Sequence, residues 1–121
     1  MARPRMWKGL AMDDASQAQI RAADPMRSTW VSANAGAGKT RVLTDRVARL
    51  LLRGTPPEAI LCLTYTKAAA AEMQTRLFKR LGGWAMLEDD ALSDERSTLG
   101  EEGDFSTERL ISARRLFAKA L

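Results

Sequence analysis

The sequence of 121 residues contains no histidine and only one cysteine, Cys62. The absence of histidine removes the side chain most often used as a general base near neutral pH and as a zinc ligand. A single cysteine cannot form an internal disulfide, and its place in an apolar run predicts a buried thiol in a reducing compartment, hence a cytoplasmic protein. No stretch of ~18 apolar residues is present, so the sequence predicts no membrane span. The basic first eight residues are not followed by the apolar run of a secretory signal.

Acidic residues are scarce in most of the chain, and basic residues are scarce in one segment near its end. Residues 1–87 hold 14 Lys and Arg against six Asp and Glu, and residues 109–121 hold four basic residues and no acid. Residues 88–108 reverse this balance, with nine acids against one arginine. A basic body suits a polyanionic partner such as a nucleotide or DNA. A solvated basic surface without any ligand explains the same charge equally well.

Four segments have the sequence pattern of helices. Ser16 and Gln19 form a capping box at the start of the first, and an apolar stripe followed by Gly54 marks the second. The third is an alanine-rich helix that Gly82 and Gly83 are expected to stop. The predicted helices cover residues 16–23, 39–53, 67–81 and 108–120.

Two short apolar runs, Thr29–Ala33 and Ile60–Tyr65, predict buried strands. The order of strand, small-residue loop, helix and strand is the opening of a parallel α/β sheet. Two strands do not finish such a sheet, because both would be edge strands with long apolar faces. The sequence therefore predicts an incomplete α/β fold that is the N-terminal part of a longer protein.

One segment predicts a phosphate-binding loop: Ala33-Asn34-Ala35-Gly36-Ala37-Gly38-Lys39-Thr40. Glycines and other small residues let backbone N–H groups approach phosphate oxygens closely, and the N-terminus of the following helix adds further N–H groups and partial positive charge. Lys39 is expected to reach the β- and γ-phosphates, and Thr40 is expected to place its hydroxyl on Mg²⁺. The alternative is a solvent-exposed loop that matches this pattern by chance.

Alanine at the first position of this loop, where the generic pattern has glycine, resembles the variant used by superfamily 1 helicases. The run Lys39–Arg46 is similar to the UvrD/Rep helicases within that group. The resemblance implies the parallel sheet of a RecA-like P-loop NTPase, with ATP and Mg²⁺ as cofactors. It also implies that Gln19 reads the N6 and N7 edge of adenine and that Arg41 packs near the base. Gln17 is a competitor for the first role, and both Gln19 and Arg41 have a second interpretation as exposed helix residues.

A second helicase motif is resembled by the segment Ile60–Met73. In the family, a strand there ends in a turn that touches single-stranded DNA, and this implies a contact through four residues, Thr64, Tyr65, Thr66 and Lys67. Tyr65 can stack on a base where the family usually has phenylalanine, the threonines can bond phosphate, and Lys67 can neutralise one. The alternative interpretation is a core tyrosine at the end of a strand.

The segments Trp30–Gly36 and Thr66–Met73, together with residues 114–121, are most similar to AddA-type helicase–nuclease subunits, which process double-strand DNA ends for recombinational repair. The resemblance implies single- and double-stranded DNA as substrates and, as partner, a second nuclease–helicase subunit. The predicted organisation is a loose tail at 1–14, the N-terminal part of an ATP-binding lobe at 15–87, an acidic loop at 88–106, and a helix of the same or an inserted subdomain at 107–121.

ATP hydrolysis in this family needs an Asp-Glu pair after an apolar strand, and no such strand follows residue 66. Glu88-Asp89-Asp90 is the nearest candidate, but its order is different and a solvated acidic loop explains it better. The chain alone is therefore expected to be inactive. Three alternatives remain open: another phosphate-loop ATPase or kinase, a non-catalytic basic DNA-binding module, and a truncated fragment with no function of its own.

Overall fold

The fold is that of a computed structural model, which describes residues 14–32, 38–101 and 107–120. Within these ranges the chain forms five α-helices and one 3₁₀ turn at Pro57–Ala59. The α-helices are α1 (Asp14–Ala22), α2 (Lys39–Leu52), α3 (Lys67–Met86), α4 (Asp89–Thr98) and α5 (Thr107–Ala120). No helix in the described parts of the chain is both long and apolar enough to cross a bilayer.

The core lies between α2, α3 and α5, with α4 packed on α5 and α1 packed on α2. Trp84, Leu81 and Leu92 are its largest fully buried side chains. Full burial of a large apolar side chain stabilises the folded state by ~1.5–3 kcal/mol, so these three dominate the packing energy. From α2, Val47, Ala48 and Leu51 complete the same cluster. One face of α2 thus packs in the core, and its first turn begins directly after Gly38.

The predicted parallel sheet is wrong for the residues that the structure describes. Residues 29–32 and 60–65 contain no strand, although Ile60 and Thr66 both have extended backbone dihedral angles. Leu61 and Leu63 are 81% and 82% exposed, so the predicted buried strand at 60–65 lies largely on the surface. The physical reason is that a strand is defined by pairing, and these two segments do not pair with each other. The prediction that residues 60–65 are buried rested on their apolar composition, and the structure leaves Leu61 and Leu63 exposed.

The predicted acidic loop at 88–106 is also incorrect in its first half, because Asp89–Thr98 is helix α4. Its first turn carries Asp89 and Asp90, and negative charge is favourable at a helix N-terminus. Leu92 is fully buried and fastens this polar helix to the core. In the sequence, the many acidic residues indicated a solvated loop, and one apolar residue, Leu92, was too weak a signal to indicate a packed helix. The remaining part, residues 102–106, lies outside the described residues. So does the predicted tail at 1–14 except for its last residue, Asp14, which begins α1.

Helix α3 continues through Gly82 and Gly83 and ends at Met86, beyond the predicted stop at Leu81. Glycine in a helix interior costs ~1 kcal/mol relative to alanine. Leu81 and Trp84 flank the two glycines, and both are at most 1% exposed. The packing of these two side chains outweighs the poor local propensity, so the helix does not end there.

Cys62 was predicted to be buried, and the structure instead leaves it exposed in the extended segment 60–65. Partial desolvation by neighbouring atoms still raises the pKa of its thiol. The side chain is therefore accessible to reagents but is protonated at neutral pH. The correction has the same cause as the one for Leu61 and Leu63, namely the absence of a paired strand in this described segment.

Candidate nucleotide and DNA site

The phosphate-binding loop predicted from the sequence lies partly outside the described residues, since Ala33, Asn34, Ala35, Gly36 and Ala37 are not among them. Its last three residues, Gly38, Lys39 and Thr40, are described. Gly38 precedes the first residue of α2 and has φ of 90°, a left-handed conformation that strongly favours glycine. No side chain within the described ranges caps this helix end. The first N–H groups of α2 therefore remain suited to an anion.

Gln19 lies directly against Gly38. A Cβ atom built on Gly38 would be 3.0 Å from Nε2 of Gln19, the terminal amide nitrogen of its side chain. Glycine is favoured here mainly by its left-handed backbone conformation, and an added Cβ would also require the Gln19 amide to shift. The two residues line one side of a cavity of about 250 Å³, together with Trp30, Lys39 and Val42. The structure thus brings the glutamine from α1 and the lysine from α2 to the same concave surface.

Lys39 and Thr40 occupy the first turn of α2 and are both exposed. The carbonyl oxygen of Thr40 accepts a hydrogen bond from Oγ1 of Thr44 at 2.8 Å. This bond lies on the helix side of Thr40 and engages its backbone, not its hydroxyl. A hydroxyl and an ammonium group at the N-terminal end of a helix are the donor set that a magnesium-bound triphosphate requires.

Arg41 extends from the first turn of α2 toward Asp45, with Nε 4.0 Å from a carboxylate oxygen. The same carboxylate is bonded by Arg80 of α3. Asp45 therefore links an exposed arginine on α2 to a half-buried arginine on α3. The Arg41 side chain remains more than half exposed, so this pair is worth little in stability, and Arg41 is not among the residues that line the cavity beside Gln19.

The turn from Thr64 to Lys67 is braced by its own threonines. Thr64 Oγ1 donates to the carbonyl oxygen of Thr66 at 2.8 Å. Oγ1 of Thr66 accepts from the backbone N–H of Ala69 at 3.1 Å and so caps α3. Between them the Tyr65 ring is fully exposed, with a relative accessibility of 108%. Lys67 is the first residue of α3 and is also exposed. The turn holds an aromatic ring and a cation outward on a fixed support.

The acidic segment Glu88-Asp89-Asp90 lies beside a basic side chain, Arg114 of α5. Arg114 Nη2 lies 2.5 Å from Oδ1 of Asp89 and donates to the carbonyl oxygen of Leu87 at 2.8 Å. Across the described ranges, no three Asp, Glu, Cys or His side chains are grouped as metal ligands. The cluster is therefore explained as a helix N-terminus fastened to α5.

Three residues near the site were given no role by sequence reasoning: Trp30, Arg46 and Arg49. Trp30 lines the cavity beside Gln19 and is 92% exposed. Arg46 and Arg49 lie on the face of α2 that packs against α1, and both donate hydrogen bonds to backbone carbonyl oxygens. The available signal was their spacing of three residues, which puts both arginines on the same side of α2.

Asp24 follows α1 and has a pKa below its ordinary value. The main cause is the backbone N–H of Met26, which donates to its carboxylate at 3.0 Å, and the positive charges of Arg49, Arg53 and Arg27 add to the effect. The carboxylate in the turn after α1 therefore stays ionised further into the acidic range than an ordinary aspartate.

Known proteins share these sequence features. Residues 13–110 match the family described as the UvrD/REP helicase N-terminal domain. Similar proteins, each named as a subunit of an ATP-dependent helicase/nuclease, occur in Lactobacillus gasseri, at 43% identity over 55% of this chain, and in Levilactobacillus brevis, at 57% identity over 39% of it. A putative ATP-dependent DNA helicase of Bacillus subtilis, YjcD, is 49% identical over 43% of the chain. The matched segments cover only 4–7% of the length of these relatives. No solved structure matches the chain.

Proposed function

Because the chain belongs to the UvrD/REP helicase N-terminal domain family, we propose that it supplies ATP binding and a single-stranded DNA contact to an ATP-dependent DNA helicase. The relatives named as helicase/nuclease subunits extend this proposal to the processing of double-stranded DNA ends, with a second helicase–nuclease subunit for a partner. The proposal rests above all on the approach of Gln19 to Gly38 at the cavity that Lys39 also lines.

The described residues fit magnesium-bound ATP. Gly38 adopts the left-handed conformation that ends a phosphate-binding loop, and α2 presents its N-terminus at that point. In this proposal Lys39 binds the β- and γ-phosphates and Thr40 holds Mg²⁺ through its hydroxyl. The backbone N–H groups of residues 33–38 complete the phosphate contacts.

Base recognition would fall to the cavity beside Gln19. Its volume of about 250 Å³ lies below the ~300–1,000 Å³ typical of pockets for larger ligands, which suits a nucleobase better than a whole nucleotide. The Gln19 amide can bond the N6 and N7 edge of adenine. Trp30 lines this cavity and offers an apolar wall to the ring. In this proposal Arg41, which pairs with Asp45, packs near the base when nucleotide is bound.

The DNA contact would be the braced turn at Thr64–Lys67. Tyr65 would stack on a base, Thr64 and Thr66 would bond phosphate oxygens, and Lys67 would neutralise one phosphate. The full exposure of Tyr65 supports this role, because a core residue would be covered. The hydroxyl groups of the two threonines are engaged within the turn, and each oxygen can still accept or exchange a hydrogen bond.

The experiment is a titration of the chain with Mg-ATP, in which binding is measured by isothermal calorimetry and by tryptophan fluorescence. Lys39→Ala should weaken binding by roughly 10–100-fold, because a hydrogen bond to a charged group contributes ~1.5–3 kcal/mol. Lys79→Ala is the matched control, since Lys79 is an exposed lysine on α3. Circular dichroism checks that each variant keeps its helices. Equal ATP affinity for the wild type and Lys39→Ala would contradict the proposal.

A further inference from the structure

Helix α1, which carries Gln19, is held from α2 by two arginines. The guanidinium of Arg46 donates through Nη1 to the carbonyl oxygen of Asp24 at 2.8 Å and, more weakly, to that of Ala22 at 3.5 Å. Its Nη2 donates to the carbonyl oxygen of Arg27 at 2.6 Å. The last carbonyl groups of a helix have no partners within the helix, and a cation is favoured there by the helix dipole. One side chain of α2 thus fastens both the end of α1 and the turn that follows it.

Arg49, one turn further along α2, makes a second attachment. Its Nη1 donates to the carbonyl oxygen of Ile20 at 2.9 Å, and its Nε bonds the carboxylate of Glu101 at 2.8 Å. Arg49 and Glu101 are both buried, so the positive charge of Arg49 is balanced inside the protein. Together, Arg46 and Arg49 form a clamp that binds four backbone carbonyl groups of the segment 20–27.

The geometry connects this clamp to the base cavity. Ile20, whose carbonyl Arg49 binds, follows Gln19 directly, and the Gln19 amide lies against Gly38. Gly38 immediately precedes α2, the helix that also carries the two arginines. Arg46 is two helical turns beyond Lys39, or ~10.5 Å along a rigid helix. One helix therefore carries both the phosphate-binding lysine and the groups that set the position of the glutamine.

We propose that Arg46 and Arg49 are positioning residues that fix Gln19 over the base cavity and thereby set the preference for adenine over other bases. This inference rests on the proposed function, because it requires that Gln19 reads the base. A simple structural clamp would alter the binding of all nucleotides alike. A positioning role alters only the part of the affinity that depends on the Gln19 amide.

The variant that separates these roles is Arg46→Lys. Lysine keeps the charge and most of the length, but it lacks the planar fork that reaches three carbonyl groups at once. Arg76→Lys is the matched control, because Arg76 lies on the exposed face of α3 and forms a solvent-exposed ion pair with Glu72. Arg49→Lys is the second variant, to be measured in the same way if Arg46→Lys loses its helical circular dichroism signal.

The experiment measures the Kd of the whole chain for Mg-ATP and Mg-CTP in the wild type, Gln19→Ala, Arg46→Lys and the double variant. Cytosine lacks the N6 and N7 edge of adenine, so the ratio of the Kd for CTP to the Kd for ATP reports base reading. Gln19→Ala and Arg46→Lys should each reduce this ratio by roughly tenfold, the range of a bidentate base contact, with little change in the Kd for CTP. In the Gln19→Ala background, Arg46→Lys should have no further effect on the ratio, because the two residues act as one unit.

The outcomes distinguish this inference from the proposed function. If Gln19→Ala reduces the ratio and neither Arg46→Lys nor Arg49→Lys does, the positioning role is wrong while base reading by Gln19 stands. Equal weakening of ATP and CTP in the arginine variants would show a structural clamp only and would overturn the inference. If Gln19→Ala leaves the ratio unchanged, base reading by Gln19 is wrong and the inference falls with it, while ATP binding through Lys39 stands. If the wild type binds neither nucleotide, the proposed function itself fails.

Discussion

Nε2 of Gln19 lies 3.0 Å from the point where a Cβ atom on Gly38 would stand. This closeness links two helices that are separated in sequence by residues 23–38. The glutamine comes from α1, and the glycine forms the start of α2. The contact follows from the packing of α1 on α2, where Arg46 and Arg49 bind the backbone of residues 20–27.

Gly38→Ala should therefore abolish most ATP binding. The added methyl group would displace the Gln19 amide and would also strain a backbone with φ of 90° by ~1–2 kcal/mol. Gly54→Ala is the control, because Gly54 has φ of 93° and nothing within 4 Å of its added Cβ. Thermal unfolding should show a similar loss of stability in both variants, whereas calorimetry should show loss of ATP affinity only in Gly38→Ala. Normal ATP binding by Gly38→Ala would contradict the assignment of this cavity.

Tyr65→Ala should weaken the binding of a fluorescent oligo-dT strand by ~1–3 kcal/mol, the usual contribution of one stacked base. Its stability should not change, because the ring is fully exposed. Tyr65→Phe keeps the stacking surface and should bind DNA like the wild type. Fluorescence anisotropy gives the affinities, and ATP titrations of the same variants should be unaffected. Unchanged DNA affinity in Tyr65→Ala would remove this turn from the DNA contact.

Gly83→Ala should stabilise the protein by ~0.5–1 kcal/mol, because Gly83 lies inside α3 and an added Cβ would meet nothing within 4 Å. Gly100→Ala should have the opposite effect. Its φ is 84°, and its Cβ would lie 2.5 Å from Cγ2 of Ile20. Urea unfolding of the two variants measures the difference. Destabilisation by Gly83→Ala would indicate that α3 does end before Gly83 in solution.

Glu101→Gln should destabilise the fold by ~3–5 kcal/mol, because it leaves the Arg49 charge buried without its balancing carboxylate. The double variant Arg49→Met with Glu101→Leu should recover much of this loss, since an apolar pair removes both desolvated charges. Denaturant titrations of the single and double variants test the prediction. If Glu101→Gln is as stable as the wild type, the pair is exposed in solution.

Cys62 should react slowly with a disulfide reagent despite its exposure. Partial desolvation of the thiol raises its pKa. Less of the reactive thiolate is therefore present at neutral pH than in free cysteine. The rate should increase about tenfold per pH unit until the raised pKa is reached. Reaction with a chromogenic aromatic disulfide across neutral to alkaline pH, compared with glutathione, measures this. A faster reaction than that of glutathione at neutral pH would contradict it.

Local patterns in the sequence predicted the helices that bear the site. The run Val42, Val47 and Leu51 is apolar at helical spacing, and α2 buries all three residues. Thr66 predicted a turn before an alanine-rich segment, and it caps α3 there. Such signals are local, because a cap or an apolar stripe involves residues at most a few turns apart. The phosphate-loop pattern belongs to the same class, and its assignment to nucleotide binding remains a prediction.

Other features depended on contacts between distant parts of the chain. The two apolar runs were predicted as strands because of their composition, yet whether an extended segment becomes a strand depends on a partner. Helix α4 exists because Leu92 is buried in a core formed by other helices, and α3 continues past Gly82 and Gly83 because Leu81 and Trp84 are held there. In each case a gain from packing outweighs the local preference of the sequence.

By itself, the sequence determined the family and the helices that follow each motif, because those signals lie within short segments. Only the tertiary structure decided that Gln19 meets Gly38 and that Arg46 and Arg49 hold the backbone of residues 20–27. A guanidinium can bond a carbonyl group at any distance along the chain, so neither its residue type nor its spacing identifies the partner. The partner is selected by the packing of α1 on α2, which brings carbonyl groups at the end of α1 and in the turn after it within reach of two arginines.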